Sequence, residues 1–182
     1  MHEPVRHFVQ SVKVKHPRYF QDVSVIEFGS LNINGTVRDY FVNCRYTGVD
    51  LGPGNGVDAI SLTHEYQSRK VDTIISTEML EHDQFWYLSL RHMIKLLKPF
   101  GMLIITAGGK GRPEHGTTKC DPGCSPLTVQ RPIWKDYYRN IGITELDYGL
   151  NMDANFNEME LRIGQGDIYF WGILRMNNVL LA

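Results

Sequence analysis

One stretch of the chain, residues 23–50, constrains the fold more than any other. It begins with a short apolar run at 24–26, which is partly β-branched and typical of a buried strand. Glu27 and Gly29 follow this run at once, and a polar turn leads on to a second apolar run that ends at Asp50. This order predicts two buried strands of an α/β sheet, with an acidic residue near the tip of each.

The turn between these strands predicts a ligand site. A glycine turn lets a ligand approach the backbone closely, and a carboxylate about 20 residues further on, here Asp50, can bind the two hydroxyls of a ribose. The dinucleotide fingerprint is Gly-x-Gly-x-x-Gly. After Gly29, however, the chain has Leu31 and Asn34, and Gly35 comes one place late. These residues predict a pocket for a nucleoside-containing cofactor that is not a standard dinucleotide.

The acidic residue before the turn indicates the charge of that cofactor. Glu27 would repel a pyrophosphate and attract a cation. S-adenosylmethionine has a sulfonium, an α-ammonium and an adenosine ribose, and it has no phosphate. We therefore expect S-adenosylmethionine as cofactor, with S-adenosylhomocysteine as product. A reductase that uses NAD or NADP is the less favoured alternative.

Four segments, taken in chain order, resemble the motifs of class I S-adenosylmethionine-dependent methyltransferases of the small, methyltransferase-type-11-like kind. They are residues 25–35 around the first glycine turn, 47–50 at the second strand tip, 71–82 at the fourth strand and 96–108 through the fifth. The resemblance implies one methyltransferase domain over residues 1–182. It also implies a Rossmann-like, mostly parallel seven-stranded sheet with an antiparallel C-terminal hairpin strand and helices on both faces.

Apolar periodicity and chain-breaking residues predict where the individual elements lie. The three glycines and the one proline of residues 52–56 replace the usual helix between the second and third strands with a loop. Asp83 is the predicted N-cap of a long helix. The predicted strands are 23–27, 46–50, 57–60, 72–76, 102–106, 143–148 and 167–176, with a hairpin connection at 151–166. The predicted helices are 3–15, 35–41, 83–97 and 128–140.

The resemblance assigns a cofactor role to residues at the carboxyl ends of the strands, where ligands bind in such sheets. It implies that Glu27 and Gly29 face the methionine part of the cofactor. It also implies that Asp50 binds the ribose, with Leu51 against the adenine. The complete set of expected cofactor-binding residues is Glu27, Gly29, Gly35, Asp50, Leu51, Thr63, His64, Thr77 and Glu78.

A second group of polar residues is expected near the transferred methyl group. Glu78, Glu81 and His82 follow the fourth strand, and His115 lies on a glycine-rich loop after the fifth. Glu78 and His82 would share one face of a helix. The group could hold Mg²⁺ or Mn²⁺, as in metal-using members of the family, could position or deprotonate the acceptor, or could only pack. We expect Glu78, His82 and His115 to be catalytic, and we predict no metal.

Composition limits the partners of the chain. The formal net charge is −1, so no overall basic field attracts nucleic acid. We expect no membrane span, because no run of about 20 apolar residues occurs, and no signal peptide; a cytoplasmic enzyme is the expectation. A hydroxyl or amine of a small molecule or sugar is the expected methyl acceptor. RNA, a protein, or non-catalytic binding of S-adenosylmethionine are the alternatives.

Overall fold

The computed structural model describes residues 2–176, which contain one seven-stranded sheet in the order β3-β2-β1-β4-β5-β7-β6. The strands from β3 to β5 are parallel, while β7 pairs antiparallel with both β5 and β6. The fold class is therefore as predicted. The strands are β1 Ser24–Phe28, β2 Arg45–Asp50, β3 Ala59–Ile60, β4 Val71–Thr77, β5 Leu97–Gly108, β6 Phe156–Gly164 and β7 Asp167–Leu174. The helices are α1 Glu3–Lys15, α2 Trp86–Leu96, α3 Pro126–Val129, α4 Ile143–Leu150 and α5 Met152–Asn155.

Helices cover both faces of the sheet because α1, α2 and α4 each have an apolar stripe at helical spacing. In α1 the buried residues are Val5, Phe8, Val9 and Val12, and they pack on one face with Ile75 and Ile104. On the other face, α2 and α4 pack against the alternate residues of β1, β4 and β5. The sheet is thus packed between two hydrophobic clusters, one on each face. Within residues 2–176, no helix has the length and apolar character needed to cross a bilayer.

The predicted helix at residues 35–41 is wrong. The chain there has only a short 3₁₀ turn at Arg38–Tyr40. Side chains satisfy the backbone locally, because Asn32 Oδ1 accepts the Gly35 N–H at 2.8 Å and Thr36 Oγ1 accepts the Arg38 N–H at 3.0 Å. The connection from β1 to β2 is therefore an open loop at the point where a nucleotide-binding fold usually begins a helix.

Two further helix predictions need correction. Residues 128–140 do not form a helix; α3 ends at Val129, and Pro132 removes a backbone donor from any continuation. Asp83 is not an N-cap, because the preceding 3₁₀ turn ends there and α2 begins only at Trp86. Its carboxylate instead accepts the Phe85 N–H at 2.8 Å, inside the turn before the helix.

The predicted strand at residues 143–148 is also wrong, since this segment is α4. Leu146 and Leu150 are buried one helical turn apart, and the Glu145 side chain accepts the N–H of the N-cap residue Gly142 at 3.1 Å. The sixth strand lies instead at Phe156–Gly164, inside the predicted connection. It is an edge strand with mostly exposed or half-exposed residues, so it lacks the apolar run on which the prediction relied.

Candidate functional site

A crevice opens at the carboxyl ends of β1, β2 and β4, and it has two adjoining chambers. Together with the solvent space at its opening, the Asp50 chamber spans about 620 Å³ and the Glu27 chamber about 860 Å³. Both are lined by Gly29, Glu78 and His82, which lie where the chambers meet. The Asp50 chamber is also lined by Leu31, Leu51, Thr63, Met79, Leu127 and Trp134, and the Glu27 chamber by His2, Ser30, Gly35, Thr77, Arg112 and His115.

Asp50 joins the two loops that form the floor of its chamber. Its Oδ2 accepts the Leu31 N–H at 2.9 Å, and its Oδ1 accepts the Leu51 N–H at 2.7 Å. Burial raises the pKa of the Asp50 carboxyl, while these two hydrogen bonds act in the opposite direction. The carboxylate is thus held in place by backbone donors at the rim of an apolar chamber.

Gly29 lies between the chambers and has a left-handed φ of 79°. A Cβ at this position would lie 2.6 Å from Met79 Cβ and 2.7 Å from Met79 Cγ. Gly35 also has a positive φ, of 125°, and the Arg6 guanidinium occupies the space that a side chain would need. Only glycine lets the β1 loop pass this close to the β4 loop.

Glu27 is buried, with 5% of its surface exposed, and it lies on the wall of its chamber. Tyr46 donates its hydroxyl to Glu27 Oε2 at 2.9 Å, and the Arg38 guanidinium lies 4.6 Å from the Tyr46 ring centroid. Burial raises the pKa of Glu27 to about 8, although the Tyr46 hydrogen bond lowers it. At neutral pH this carboxyl is therefore mostly protonated until a cation approaches it.

The other expected cofactor residues divide between the chambers. Leu51 and Thr63 line the Asp50 chamber, and Thr77 lines the Glu27 chamber. His64 lines neither, because its ring packs against Phe85 with the centroids 4.8 Å apart. The structure thus brings all the expected cofactor residues except His64 to the crevice.

Glu78 lies in a group of charged residues that the sequence did not predict. It has a left-handed φ of 54° after the end of β4, and its Oε1 accepts the Thr106 hydroxyl at 2.9 Å. Burial, and then the negative charge of Asp167, raise the pKa of Glu78. His2 Nδ1 lies 3.7 Å from Glu78, and its Nε2 lies 2.7 Å from Asp167 Oδ2.

Arg112 completes this group, and its Nη1 donates to both oxygens of the fully buried Asp167 at 3.0 Å. His2 comes from the start of the chain and Asp167 from the start of β7. No sequence pattern links residues so far apart, so only the folded sheet could bring them together.

The remaining polar residues form a second group beneath the meeting point of the chambers. Glu81 and His82 are buried, and the ring of His115 lies 5.0 Å from that of His82. The predicted helical face shared by Glu78 and His82 is wrong, because Leu80–His82 is a 3₁₀ turn. Burial, followed by the nearby His115, lowers the pKa of His82 to about 3. His82 is therefore neutral at physiological pH.

A segment that contains Leu127, Arg131 and Trp134 covers the Asp50 chamber. Leu127 packs close to Gly52, and Arg131 donates a hydrogen bond to the Leu51 carbonyl oxygen. Trp134 adds a buried aromatic wall. Cys124, Ser125 and Pro126, at the end of the glycine- and proline-rich segment 107–126, also line this chamber.

Solved structures share this architecture. A Burkholderia thailandensis 1,6-didemethyltoxoflavin-N1-methyltransferase with bound S-adenosylhomocysteine aligns with a TM-score of 0.64 and 15% identity, over 93% of this chain and 77% of that one. The N-methyltransferase NodS from Bradyrhizobium japonicum, also with S-adenosylhomocysteine, gives 0.57 and 14%, over 93% and 86%. A Thermotoga maritima S-adenosylmethionine-dependent methyltransferase gives 0.56 and 15%, over 92% and 88%.

Sequence comparison adds no closer relative, because no family profile matches the chain and no curated protein matches it significantly. The identities of 10–15% to the solved structures mean that the likeness is one of fold. The sheet order, the glycine turn after β1 and the acidic tip of β2 agree with that likeness. The chain has the class I fold of S-adenosylmethionine-dependent methyltransferases.

Proposed function

We propose that the protein is an S-adenosylmethionine-dependent methyltransferase that methylates a hydroxyl or amine of a small molecule or sugar. The observation that carries the proposal is the pair of acidic residues on either side of Gly29. Asp50 lies on one chamber and Glu27 on the other. A ligand that spans the crevice would thus meet a carboxylate at each end and a bare backbone at its middle.

The residues present fit S-adenosylmethionine. In the Asp50 chamber, Asp50 would hold the ribose hydroxyls, and the side chains of Leu51, Met79 and Leu127 supply apolar contact for a flat base. In the Glu27 chamber, Glu27 would face the positively charged methionine part. The transferred methyl group would then lie near the shared walls.

The same geometry disfavours NAD or NADP. A dinucleotide fold places the pyrophosphate at the N-terminus of the helix that follows the first strand. Here the only helical element between β1 and β2 is the 3₁₀ turn Arg38–Tyr40, and it lies well beyond Gly29. Glu27 would also repel a pyrophosphate. The loop between β1 and β2 and the charge of Glu27 therefore favour S-adenosylmethionine over NAD or NADP.

In methyl transfer the main task of the protein is to align the methyl donor with the acceptor. When bound, S-adenosylmethionine supplies a methyl group on a cationic sulfur that leaves as a neutral thioether. The protein must hold the acceptor oxygen or nitrogen in line, and must take its proton if it has one. His115 and Glu78 border the Glu27 chamber and can accept that proton. His82, with a pKa of about 3, is a weak base and is better suited to holding a position.

A small acceptor is supported by the charge of the Glu27 chamber. Among the lining residues that the structure describes, Arg112 is the one arginine or lysine, and Asp167 already pairs with it. An RNA backbone would need unpaired cations here. The Burkholderia enzyme of similar fold is named for the methylation of a small molecule, 1,6-didemethyltoxoflavin. RNA or protein methylation is the second candidate.

Replacing Asp50 with alanine is expected to weaken S-adenosylhomocysteine binding by about 10- to 100-fold, which corresponds to the loss of charge-assisted hydrogen bonds. The variant should stay folded with a lower Tm, because the Leu31 and Leu51 N–H groups lose their acceptor. Isothermal titration calorimetry measures the affinity. Glu65→Ala, which removes an exposed acidic residue after β3, is the matched control and should bind normally.

Methyl transfer itself is tested by incubating the protein with labelled S-adenosylmethionine and pools of small molecules, sugars, RNA and proteins. Label in a small-molecule product is the expected result. Binding of S-adenosylhomocysteine without transfer to any pool would indicate a non-catalytic binding protein. Stabilisation by NADH or NADPH, without any by S-adenosylhomocysteine, would reject the proposal.

A further inference from the structure

We propose that His2 is the general base of methyl transfer and that Asp167 is the residue that positions it. The assignment rests on the proposed function and adds two residues that no pattern in the sequence indicated. His2 lines the Glu27 chamber, whereas Asp167 is fully buried and hydrogen-bonded to it. A buried carboxylate, an imidazole and a ligand chamber thus follow one another, as in enzymes whose histidine takes a proton from the reacting group.

The contact between the two side chains fixes which nitrogen of His2 carries the proton. His2 Nε2 lies 2.7 Å from Asp167 Oδ2, and an ionised carboxylate only accepts hydrogen bonds. Arg112 Nη1 lies 3.5 Å from the same nitrogen, beyond the usual hydrogen-bond length, whereas it lies 3.0 Å from both oxygens of Asp167. In the neutral imidazole, Nε2 therefore donates to Asp167, and the lone pair lies on Nδ1.

The surroundings of Asp167 keep its carboxyl group charged. Arg112 donates to both of its oxygens, and Tyr169 donates its hydroxyl to Oδ2 at 3.3 Å. A buried carboxylate that is ion-paired and hydrogen-bonded in this way remains an anion. The negative charge of Asp167 would therefore face the imidazolium that forms when His2 takes a proton.

The free nitrogen of His2 is directed toward the place where the two chambers meet. His2 Nδ1 lies 3.7 Å from Glu78 Oε2, which is too far for a direct hydrogen bond. Glu78 lines both chambers, and the transferred methyl group is expected beside it. A hydroxyl or amine that entered between His2 and Glu78 would thus meet a lone pair that no protein donor occupies within residues 2–176.

The packing of α1 holds His2 in this position. His2 is the N-cap residue of α1, and Phe8 of the same helix packs on Tyr169 with the ring centroids 5.3 Å apart. Asp167 begins β7 and is paired in register with Gly108 at the end of β5. The helix and the sheet thus place the two partners independently, although 165 positions separate them in the chain.

The other two histidines of the Glu27 chamber are less suited to this role. His82 has a pKa of about 3, because burial disfavours its charged form, and is a weak base. His115 Nδ1 lies 3.0 Å from the carbonyl oxygen of Pro113, which is an uncharged partner. In residues 2–176, His2 is the one of the three whose ring is hydrogen-bonded to a carboxylate. It therefore has the partner that can balance the charge gained with a proton.

In the proposed step, His2 Nδ1 takes the proton from the acceptor oxygen or nitrogen. A lone pair of that acceptor atom forms the bond to the methyl carbon, and the carbon–sulfur bond breaks with its electron pair left on sulfur. The products are the methylated acceptor and a neutral thioether. The positive charge of the sulfonium thus ends as the extra proton on His2, next to the Asp167 anion, and that proton then passes to water.

The tautomer of His2 can be measured without any substrate. Long-range nitrogen-15 spectra in alkaline buffer distinguish an Nε2–H from an Nδ1–H imidazole, and loss of a signal in His2→Ala assigns it to His2. We expect Nε2–H in the wild type. In Asp167→Asn the amide nitrogen can donate to Nε2, so the proton of His2 should move to Nδ1. An Nδ1–H imidazole in the wild type would overturn the proposal.

The role in catalysis is tested with His2→Ala, which should lower label transfer from S-adenosylmethionine to the small-molecule and sugar pools by about 10²- to 10⁴-fold. It should not change the affinity for S-adenosylhomocysteine, and α1 loses no side-chain cap. Added imidazole should restore part of the transfer. Pyrazole, a ring of the same size that is a far weaker base, should not. His7→Ala, at a histidine of the same helix whose side chain is 75% exposed, is the matched control and should transfer label normally.

The outcomes separate this proposal from the proposed function. Equal transfer by His2→Ala and the wild type, or a loss that imidazole does not restore, would overturn the general base and leave the methyltransferase standing. A wild type that binds S-adenosylhomocysteine but transfers no label to any pool would remove both. Should Asp167→Asn fail to fold, as judged by near-ultraviolet circular dichroism, the wild-type tautomer and His2→Ala decide, because the His2 side chain is 31% exposed at the start of α1.

Discussion

Replacing Glu27 with glutamine is expected to stabilise the protein at pH 8 by on the order of 4 kcal/mol, and to weaken cofactor binding by about 10- to 100-fold. The two effects have one cause. The folded protein holds this carboxyl in a buried position, where its pKa is raised to about 8 from the ordinary value of 4.5. Glutamine is neutral like the protonated carboxyl, which is the more stable form of Glu27 in the ligand-free protein. Glutamine cannot ionise, so it cannot supply the negative charge that stabilises a bound cation.

The direction of the pH dependence follows from the raised pKa. Between pH 4.5 and about 8 the folded state binds more protons at Glu27 than the unfolded state does, so this residue makes stability fall as pH rises. The contribution of the protonated form is complete below pH 4.5 and is lost by about pH 8. The Glu27→Gln variant lacks this pH-dependent contribution to the unfolding free energy. The difference in unfolding free energy between variant and wild type should therefore be small near pH 5 and large at pH 8.

Cofactor affinity should change with pH in the opposite direction. In the wild type, a bound cation favours the Glu27 anion, so binding should tighten as pH rises toward 8 and should release about one proton near pH 7. Titrations in buffers of different ionisation enthalpy measure that proton. Glu27→Gln should release none, and the control Glu65→Gln should behave as the wild type. An unchanged stability and an unchanged proton count in Glu27→Gln would show that Glu27 does not face the ligand.

The sequence predicted the parts of the site that lie close together in the chain. Glu27 and Gly29 belong to one strand and its turn, and Asp50 ends the adjacent strand, so a local pattern reports their positions directly. The parallel sheet then places both tips at the same edge. The pairing of β1 with β2, in register from Ser24 with Arg45 to Phe28 with Val49, agrees with this reasoning.

Tertiary contacts decided the rest of the fold. Residues 143–148 have a strand-like composition, but Leu146 and Leu150 pack as a helix against α2. Residues 35–41 do not form the predicted helix, because side-chain hydrogen bonds compete with helical backbone hydrogen bonds there. Such bonds leave no periodic pattern in the sequence. His64 follows β3 as expected, yet its ring turns to Phe85. In each case the structure depends on a packing partner from elsewhere in the chain or on a local side-chain hydrogen bond, and apolar periodicity indicates neither.

Replacing Gly29 with alanine is expected to destabilise the protein by about 2–5 kcal/mol. Two costs add at this position. The left-handed backbone, with φ of 79°, costs an alanine about 1–2 kcal/mol. The new Cβ would also lie 2.6 Å from Met79 Cβ, and overpacking of this kind costs about 1–3 kcal/mol. Urea unfolding measures the sum, and S-adenosylhomocysteine titration measures the accompanying loss of affinity.

Two other glycines separate these costs. Gly111 has a φ of 94°, and no atom lies within 4 Å of the position that an alanine Cβ would take, so Gly111→Ala should lose only the backbone term, about 1–2 kcal/mol. Gly123 has equally open space without a left-handed φ, so Gly123→Ala should change stability by less than about 0.5 kcal/mol. If Gly29→Ala were no worse than Gly111→Ala, the close approach of Gly29 to Met79 would be absent in solution.

A double-mutant cycle with Met79→Gly isolates the clash, because glycine removes both Met79 atoms that the new Cβ would meet. In the Met79→Gly background, Gly29→Ala should cost only the backbone term. The affinity for the cofactor is a second, independent measurement of the same clash. A clash relieved by moving the β1 loop would shift Gly29 away from the shared wall of both chambers, so affinity should fall in Gly29→Ala and recover in part in the double variant. Recovery of stability without recovery of affinity would mean that the backbone of Gly29 itself, and not only its spacing from Met79, contacts the ligand.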